Sequence, residues 1–131
     1  MTLTVAQKLQ LKAGPVAVLG KPDGVDLALP GGVTETANPG DGCAVVAFAK
    51  NAAEVDTVAA PALEAARDGR LAWIAYPKAG QLGTDLNRDS LARLAEERGA
   101  TPVRQVAIDN VWSALRFKPG GGQTRWSPGQ A

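Results

Sequence analysis

"LAWIAYPKAG", residues 71–80, opens as an apolar run and closes on Tyr76, Pro77 and Lys78. A continuous run of Leu, Ala, Trp and Ile suits a strand covered on both faces, as in a parallel sheet. Pro77 limits further pairing, because proline has no backbone N–H to donate. In an open α/β sheet the carboxyl end of such a strand borders the usual ligand crevice. Tyr76 and Lys78 therefore stand where a site is expected, or where the strand simply ends.

Two other runs repeat the pattern. "VAVLG", residues 16–20, and "CAVVAFA", residues 43–49, read as central strands. Each is followed by lysine, as residues 71–77 are: Lys21, Lys50 and Lys78. If the three strands run in one direction, the three ammonium groups share one edge of the sheet. That placement predicts a weak site for a small anion, with Asn51 at an adjacent helix start. The competing reading is that solvated lysines merely decorate strand ends.

Helices fill the gaps. Val55, Val58, Ala59, Ala62 and Ala66 recur at helical spacing, with Asn51 as a cap and Pro61 predicted to kink or restart the helix. "GTDLNRDSLARLAEERG", residues 83–99, predicts a second helix with a Leu91, Leu94 and Ala95 stripe, a Thr84 or Asn87 cap, and Gly99 at its end. "VTETA", residues 33–37, is a weak strand. "VRQVAI" and "SALRFK" are two more, and the short "DNVW" between them predicts antiparallel neighbours. A short amphipathic helix is expected within residues 3–14. The order predicts a three-layer, Rossmann-like α/β fold with a mostly parallel sheet and a C-terminal antiparallel hairpin. One domain spans 1–119, and a Gly- and Pro-rich tail with Trp126 follows at 120–131.

The elements "YPK", "TDL" and "DNVWS", with the early "LKAGPVAVLGKPDG", resemble an uncharacterised family of small bacterial proteins with a domain of unknown function. The likeness covers roughly residues 5–119. It implies a small Rossmann-like body and brings no established reaction, so no catalytic role is carried over. The second half is also similar in layout to the C-terminal half of class I methyltransferases, where a helix-linked sheet ends in an antiparallel hairpin. The methyl-donor machinery of that family is missing: "VAVLGKPDG" has no full Gly-rich loop, and Glu35 lies inside the weak strand rather than at its end. No cofactor is expected.

Composition narrows the chemistry. Fourteen Lys and Arg against thirteen Asp and Glu leave a formal charge of +1, too little to steer nucleic acid or a membrane surface. There is no histidine, so the commonest metal ligand and neutral-pH acid–base group is missing. Cys43 is the sole cysteine and starts an apolar strand, which reads as a core thiol. No spacing supplies a metal site. Ser90 and Ser113 lack a histidine partner and a GxSxG context. The N-terminal "MTLTVAQKLQ" lacks the apolar core of a secretory signal, and no run is long enough to cross a bilayer, so a cytoplasmic protein is expected.

The remaining catalytic candidates are Tyr76, Asp85 and Asp109, a hydroxyl and two carboxylates from separate segments. Each also has a bland role: Tyr76 packing at a rim, Asp85 opposing a helix dipole, Asp109 shaping a turn. Trp112 either roofs the crevice or covers the sheet. Alternation places Trp112, Ala114 and Arg116 on one face and Ser113, Leu115 and Phe117 on the other. The expected function is a non-catalytic interaction or weak small-anion binding, with a protein partner or self-association as further options. The alternative is a small enzyme or degenerate methyltransferase-like protein using the crevice. Convergence of Tyr76, Lys78, Asp85 or Asp109 on an enclosed pocket favours the enzyme; a shallow patch favours the binding module.

Overall fold

A computed structural model describes residues 9, 11, 14–22, 25, 33–36, 44–78 and 83–119. Most of the expected N-terminal helix, Cys43 and the tail with Trp126 lie outside the described residues. Six strands form one mixed sheet: β1 (Gly14–Leu19), β2 (Val33–Thr36), β3 (Ala44–Phe48), β4 (Leu71–Pro77), β5 (Ala100–Ala107) and β6 (Trp112–Pro119). Their spatial order is β2-β1-β3-β4-β6-β5. The β1–β2, β1–β3 and β3–β4 pairs are parallel, and β6 runs antiparallel between β4 and β5. The three runs each followed by lysine thus lie side by side in one direction.

The helices are α1 (Ala52–Val55), α2 (Ala60–Arg67) and α3 (Arg88–Glu97). The helical stretch expected across residues 51–69, with a kink or restart at Pro61, is two helices. The chain breaks at residues 56–59 and restarts with Pro61 in the first turn of α2. There the missing N–H would have had no helical partner anyway. Asn51 caps α1 by accepting from the Glu54 N–H at 3.0 Å. Asn87, not Thr84, caps α3, and Gly99 follows it at a φ of 86°.

Each face of the sheet has its own core. Ala17, Val45, Ala47, Ala72, Ile74, Leu115 and Phe117 pack with Val55 of α1, Leu63 and Ala66 of α2, and Leu91 and Ala95 of α3. All three described helices therefore cover one face. On the other face Val16, Val46, Phe48, Trp73, Ala75, Trp112 and Ala114 pack with Leu9, Leu11 and Val25. Trp73 is fully buried, and its indole N–H donates to the Leu9 carbonyl at 2.9 Å. That bond satisfies the one polar atom of a large core side chain and ties Leu9 to the sheet. Phe48 and Trp112 meet edge-to-face with centroids 5.2 Å apart.

Pro77 decides where β4 parts from β3. Their register ends at Phe48 opposite Ala75, and the Ala49 N–H still donates to the Ala75 carbonyl at 2.9 Å. The next bond of a parallel ladder would come from the N–H of residue 77, which proline lacks. On its other side β4 continues: Pro77 pairs with Trp112, and the Lys78 N–H donates to the Val111 carbonyl at 2.7 Å.

Gly20, just past β1, has a φ of 70°, and a β-carbon there would stand 2.8 Å from Val58 Cγ1 and 2.9 Å from the Phe48 carbonyl oxygen. Both the left-handed backbone and the crowding demand glycine. Gly20→Ala should therefore destabilise the fold by about 2 kcal/mol or more. The midpoint of urea unfolding checks this, and an unchanged midpoint contradicts the close packing at Gly20.

Candidate functional site

A cleft of about 600 Å³ opens on the helix-covered face. It lies where the carboxyl ends of β4 and β5 meet the start of β6 and the first turn of α3. The register builds its floor. Ser113 pairs with Tyr76 on one side and with Ala107 on the other. Opposed residues in antiparallel strands share a face, so the three form one row. Gln105 stands in the next row, opposite Leu115. Asn87, Arg88 and Asp89 line the wall, and Lys78 lines the end of β4.

The wall is held by reciprocal capping. Asn87 Oδ1 accepts from the Ser90 N–H at 2.9 Å, and Ser90 Oγ accepts from the Asn87 N–H at 2.9 Å. Both bonds satisfy amides at the helix start that would otherwise lack partners. They set the direction from which Arg88 and Asp89 enter the cleft. Farther along α3, Leu91 and Ala95 are buried, anchoring the helix on the sheet.

Tyr76 is the centre of the polar network and is only 3% exposed. The Gln105 amide donates to its hydroxyl oxygen at 3.0 Å. Gln105 is oriented in turn, because its carbonyl accepts from Arg88 Nη1 at 3.3 Å. Burial pushes the Tyr76 phenol above its ordinary range. Bonds from Gln105 and Ser113 and the Arg88 charge pull the other way, and the Asp89 charge reinforces the rise. Tyr76 thus remains protonated at neutral pH and serves as a hydroxyl rather than a base.

The other cleft charges are mixed. Arg88 Nε lies 3.6 Å from Asp89 Oδ1, and both side chains are substantially exposed. Lys78 is half-buried, and its ammonium makes no ion pair with a described residue. Two cations and one carboxylate therefore face a space lined otherwise by hydroxyl, amide and methyl groups.

The residues singled out in the sequence divide. Tyr76 and Lys78 line the cleft. Lys21 does not: its ammonium closes its own turn, donating to the Val25 carbonyl at 2.8 Å and approaching the Pro22 carbonyl at 3.5 Å. Lys50 is exposed, and its backbone N–H donates to Glu54 Oε1 at 2.7 Å. The space beside the end of β1 is taken by Val58 against Gly20. Parallel strands put three lysines at one edge, but only Lys78 reaches this cleft.

The two carboxylates serve the backbone. Asp85 Oδ1 accepts from the Ala52 N–H at 2.8 Å, capping α1 from another segment. Asp109 Oδ1 accepts from the Val111 and Trp112 N–H groups, each at 2.8 Å, and shapes the turn between β5 and β6. Neither lines the cleft with Tyr76. Trp112 is buried on the opposite face beside Phe48, so it covers the sheet rather than roofing the cleft. Sequence reading did not assign Asn87, Arg88, Asp89, Gln105 or Ser113 to a shared site. The available signal was alternation along β5 and β6, which assigns faces but not register. Among the described residues, no group of three His, Cys, Asp or Glu side chains is arranged to hold a metal ion.

No family model, no curated protein and no solved structure matches this chain.

Tyr76 is the only tyrosine, so ultraviolet absorbance reads its ionisation alone. Its midpoint in the folded protein should lie above the ordinary value near 10. A raised midpoint means that the folded state holds the proton more tightly than the unfolded state. Its stabilising contribution is therefore complete below pH ~10 and is lost as pH rises through the folded-state midpoint. A midpoint at or below the ordinary value contradicts the buried network.

Proposed function

We propose that this chain is a cytoplasmic, Rossmann-like module, akin to the small bacterial family it resembles, whose cleft at the end of β4 binds a small anion without catalysis. The observation that carries the reading is Lys78 and Arg88 in one cleft beside the first turn of α3. A donor set of ammonium, guanidinium and phenol hydroxyl suits an acceptor-only group such as a carboxylate. The cleft is open and partly solvated, and Asp89 opposes an anion. The expected affinity is weak, with a dissociation constant on the order of millimolar.

The non-catalytic part rests on what lines the cleft. The raised Tyr76 phenol is a poor base at neutral pH, and Asp85 and Asp109 are engaged in backbone hydrogen bonds elsewhere. The second reading, a degenerate methyltransferase-like protein, is favoured by one observation. The sheet places the reversed β6 between β4 and β5, as a helix-linked sheet ending in an inserted hairpin does. Against a bound methyl donor stands Val58, packed on Gly20 at the end of β1. Helical cover on both faces is the further arrangement that a three-layer reading requires.

Titration of the isotope-labelled chain with sodium acetate tests the anion cleft. The backbone amides of Arg88 and Asp89 and the Gln105 side-chain amide should shift and saturate at millimolar acetate. Lys78→Met and Arg88→Gln should each weaken binding by about fivefold or more, the equivalent of roughly one lost charge contact of 1 kcal/mol. No saturable shift at these groups overturns the proposal.

A further inference from the structure

A bare anion leaves one feature of the cleft unused. Asp89 stands beside Arg88, with 3.6 Å between the carboxylate oxygen and the guanidinium Nε. Both side chains line the same open space as Lys78. An anion drawn to Arg88 meets repulsion from Asp89. A ligand carrying a cation next to its own anion turns that repulsion into attraction.

Resting on the anion-cleft reading, we propose that the physiological ligand is a small α-amino-acid zwitterion, its carboxylate facing Lys78 and Arg88 and its ammonium facing Asp89. The match is geometric as well as electrical. In an α-amino acid the ammonium nitrogen and the carboxyl carbon are two bonds apart, about 2.5 Å. Adjacent opposite charges on the ligand thus lie against adjacent opposite charges on the protein. Each ligand charge then sees its opposite first and its like charge farther away.

The neutral groups extend the fit. Gln105 is held by Arg88, and its amide points at the Tyr76 hydroxyl. The Tyr76 oxygen accepts that bond, and the neutral phenol keeps its O–H as a donor. A carboxylate accepts such a proton readily. The cleft volume of about 600 Å³ lies within the range of small-molecule sites and exceeds what an inorganic ion fills. The remaining space is available to the ligand side chain.

The test compares L-alanine with N-acetyl-L-alanine, which keeps the carboxylate and loses the ammonium. Both are titrated into the labelled full chain, reading the Arg88 and Asp89 backbone amides and the Gln105 side-chain amide. L-alanine should bind at least tenfold more tightly. Asp89→Asn should abolish that preference and leave the acetylated compound bound as well or better, because a repelling carboxylate has gone. Asp89→Glu should retain the preference. Asp89 is exposed, so both variants should preserve the spectrum elsewhere. Equal binding of the two compounds, or a preference that survives Asp89→Asn, overturns the zwitterion while the anion cleft stands. Absence of shifts with alanine, its acetyl derivative, acetate and inorganic phosphate overturns the anion cleft itself.

Discussion

The antiparallel pairing of β4 with β6 is the constraint on which the other features depend. It joins the parallel part of the sheet to the β5–β6 hairpin. Side chains alternate along a strand, so its register decides which face each one meets. With Tyr76 opposite Ser113, the phenol and the serine hydroxyl fall on the helix-covered face. With Ala75 opposite Ala114, two small residues fall on the other face, beside the bulky Trp73 and Trp112. A slip of β6 by one residue would put the Ser113 hydroxyl into the apolar core and bring Trp112 under the helices. Burying hydroxyls without partners costs about 1–3 kcal/mol each, so the register is strongly specified.

Pro77 turns this pairing into an asymmetric strand end. It stops the ladder toward β3 while the Lys78 N–H prolongs the ladder toward β6. The cleft accordingly sits on the β6 side of β4. Beside β1, Val58 packs against Gly20. The hairpin thereby supplies three cleft residues, Gln105, Ala107 and Ser113, α3 supplies Arg88 and Asp89, and the end of β4 supplies Lys78. Rigidity comes from capping: Asn87 with Ser90 at α3, Asp85 at α1, and Asp109 in the hairpin turn. At the far end of α3 the Arg98 guanidinium pairs with Asp56 in the turn after α1 and holds that carboxyl below the usual range.

Much of this architecture was legible because it rests on local pattern. The apolar runs around Val18, Val46 and Ile74 are parallel neighbours, as continuous hydrophobic stretches imply. Alternation in "WSALRF" sorted Trp112 and Ala114 from Leu115 and Phe117, and the two cores separate them in the same way. The site was less legible, because strand direction does not say where a lysine beyond the strand end points. Lys21 folds onto the Val25 carbonyl, four residues on, where the local backbone offers an acceptor. Asp85 meets Ala52 across 33 residues, and Arg88 meets Gln105 across 17. Such contacts follow from register and helix placement, which composition and spacing do not encode. At Pro61 the sequence left a kink or a restart open, and the chain restarts, because proline is accommodated in a first turn more readily than in a helix interior.

The most direct measurement of the account is the cross-strand contact between β4 and β6 in solution. The Lys78-to-Val111 bond makes that pair hydrogen-bonded. Alternation then makes Ala75 and Ala114 a non-hydrogen-bonded pair, the closer kind, with α-carbons about 4.5 Å apart. Nuclear Overhauser spectra should show a strong Hα–Hα contact between Ala75 and Ala114. The same contact linking Ala75 to Ser113 or to Leu115 would turn Tyr76 away from its partners and contradict the account.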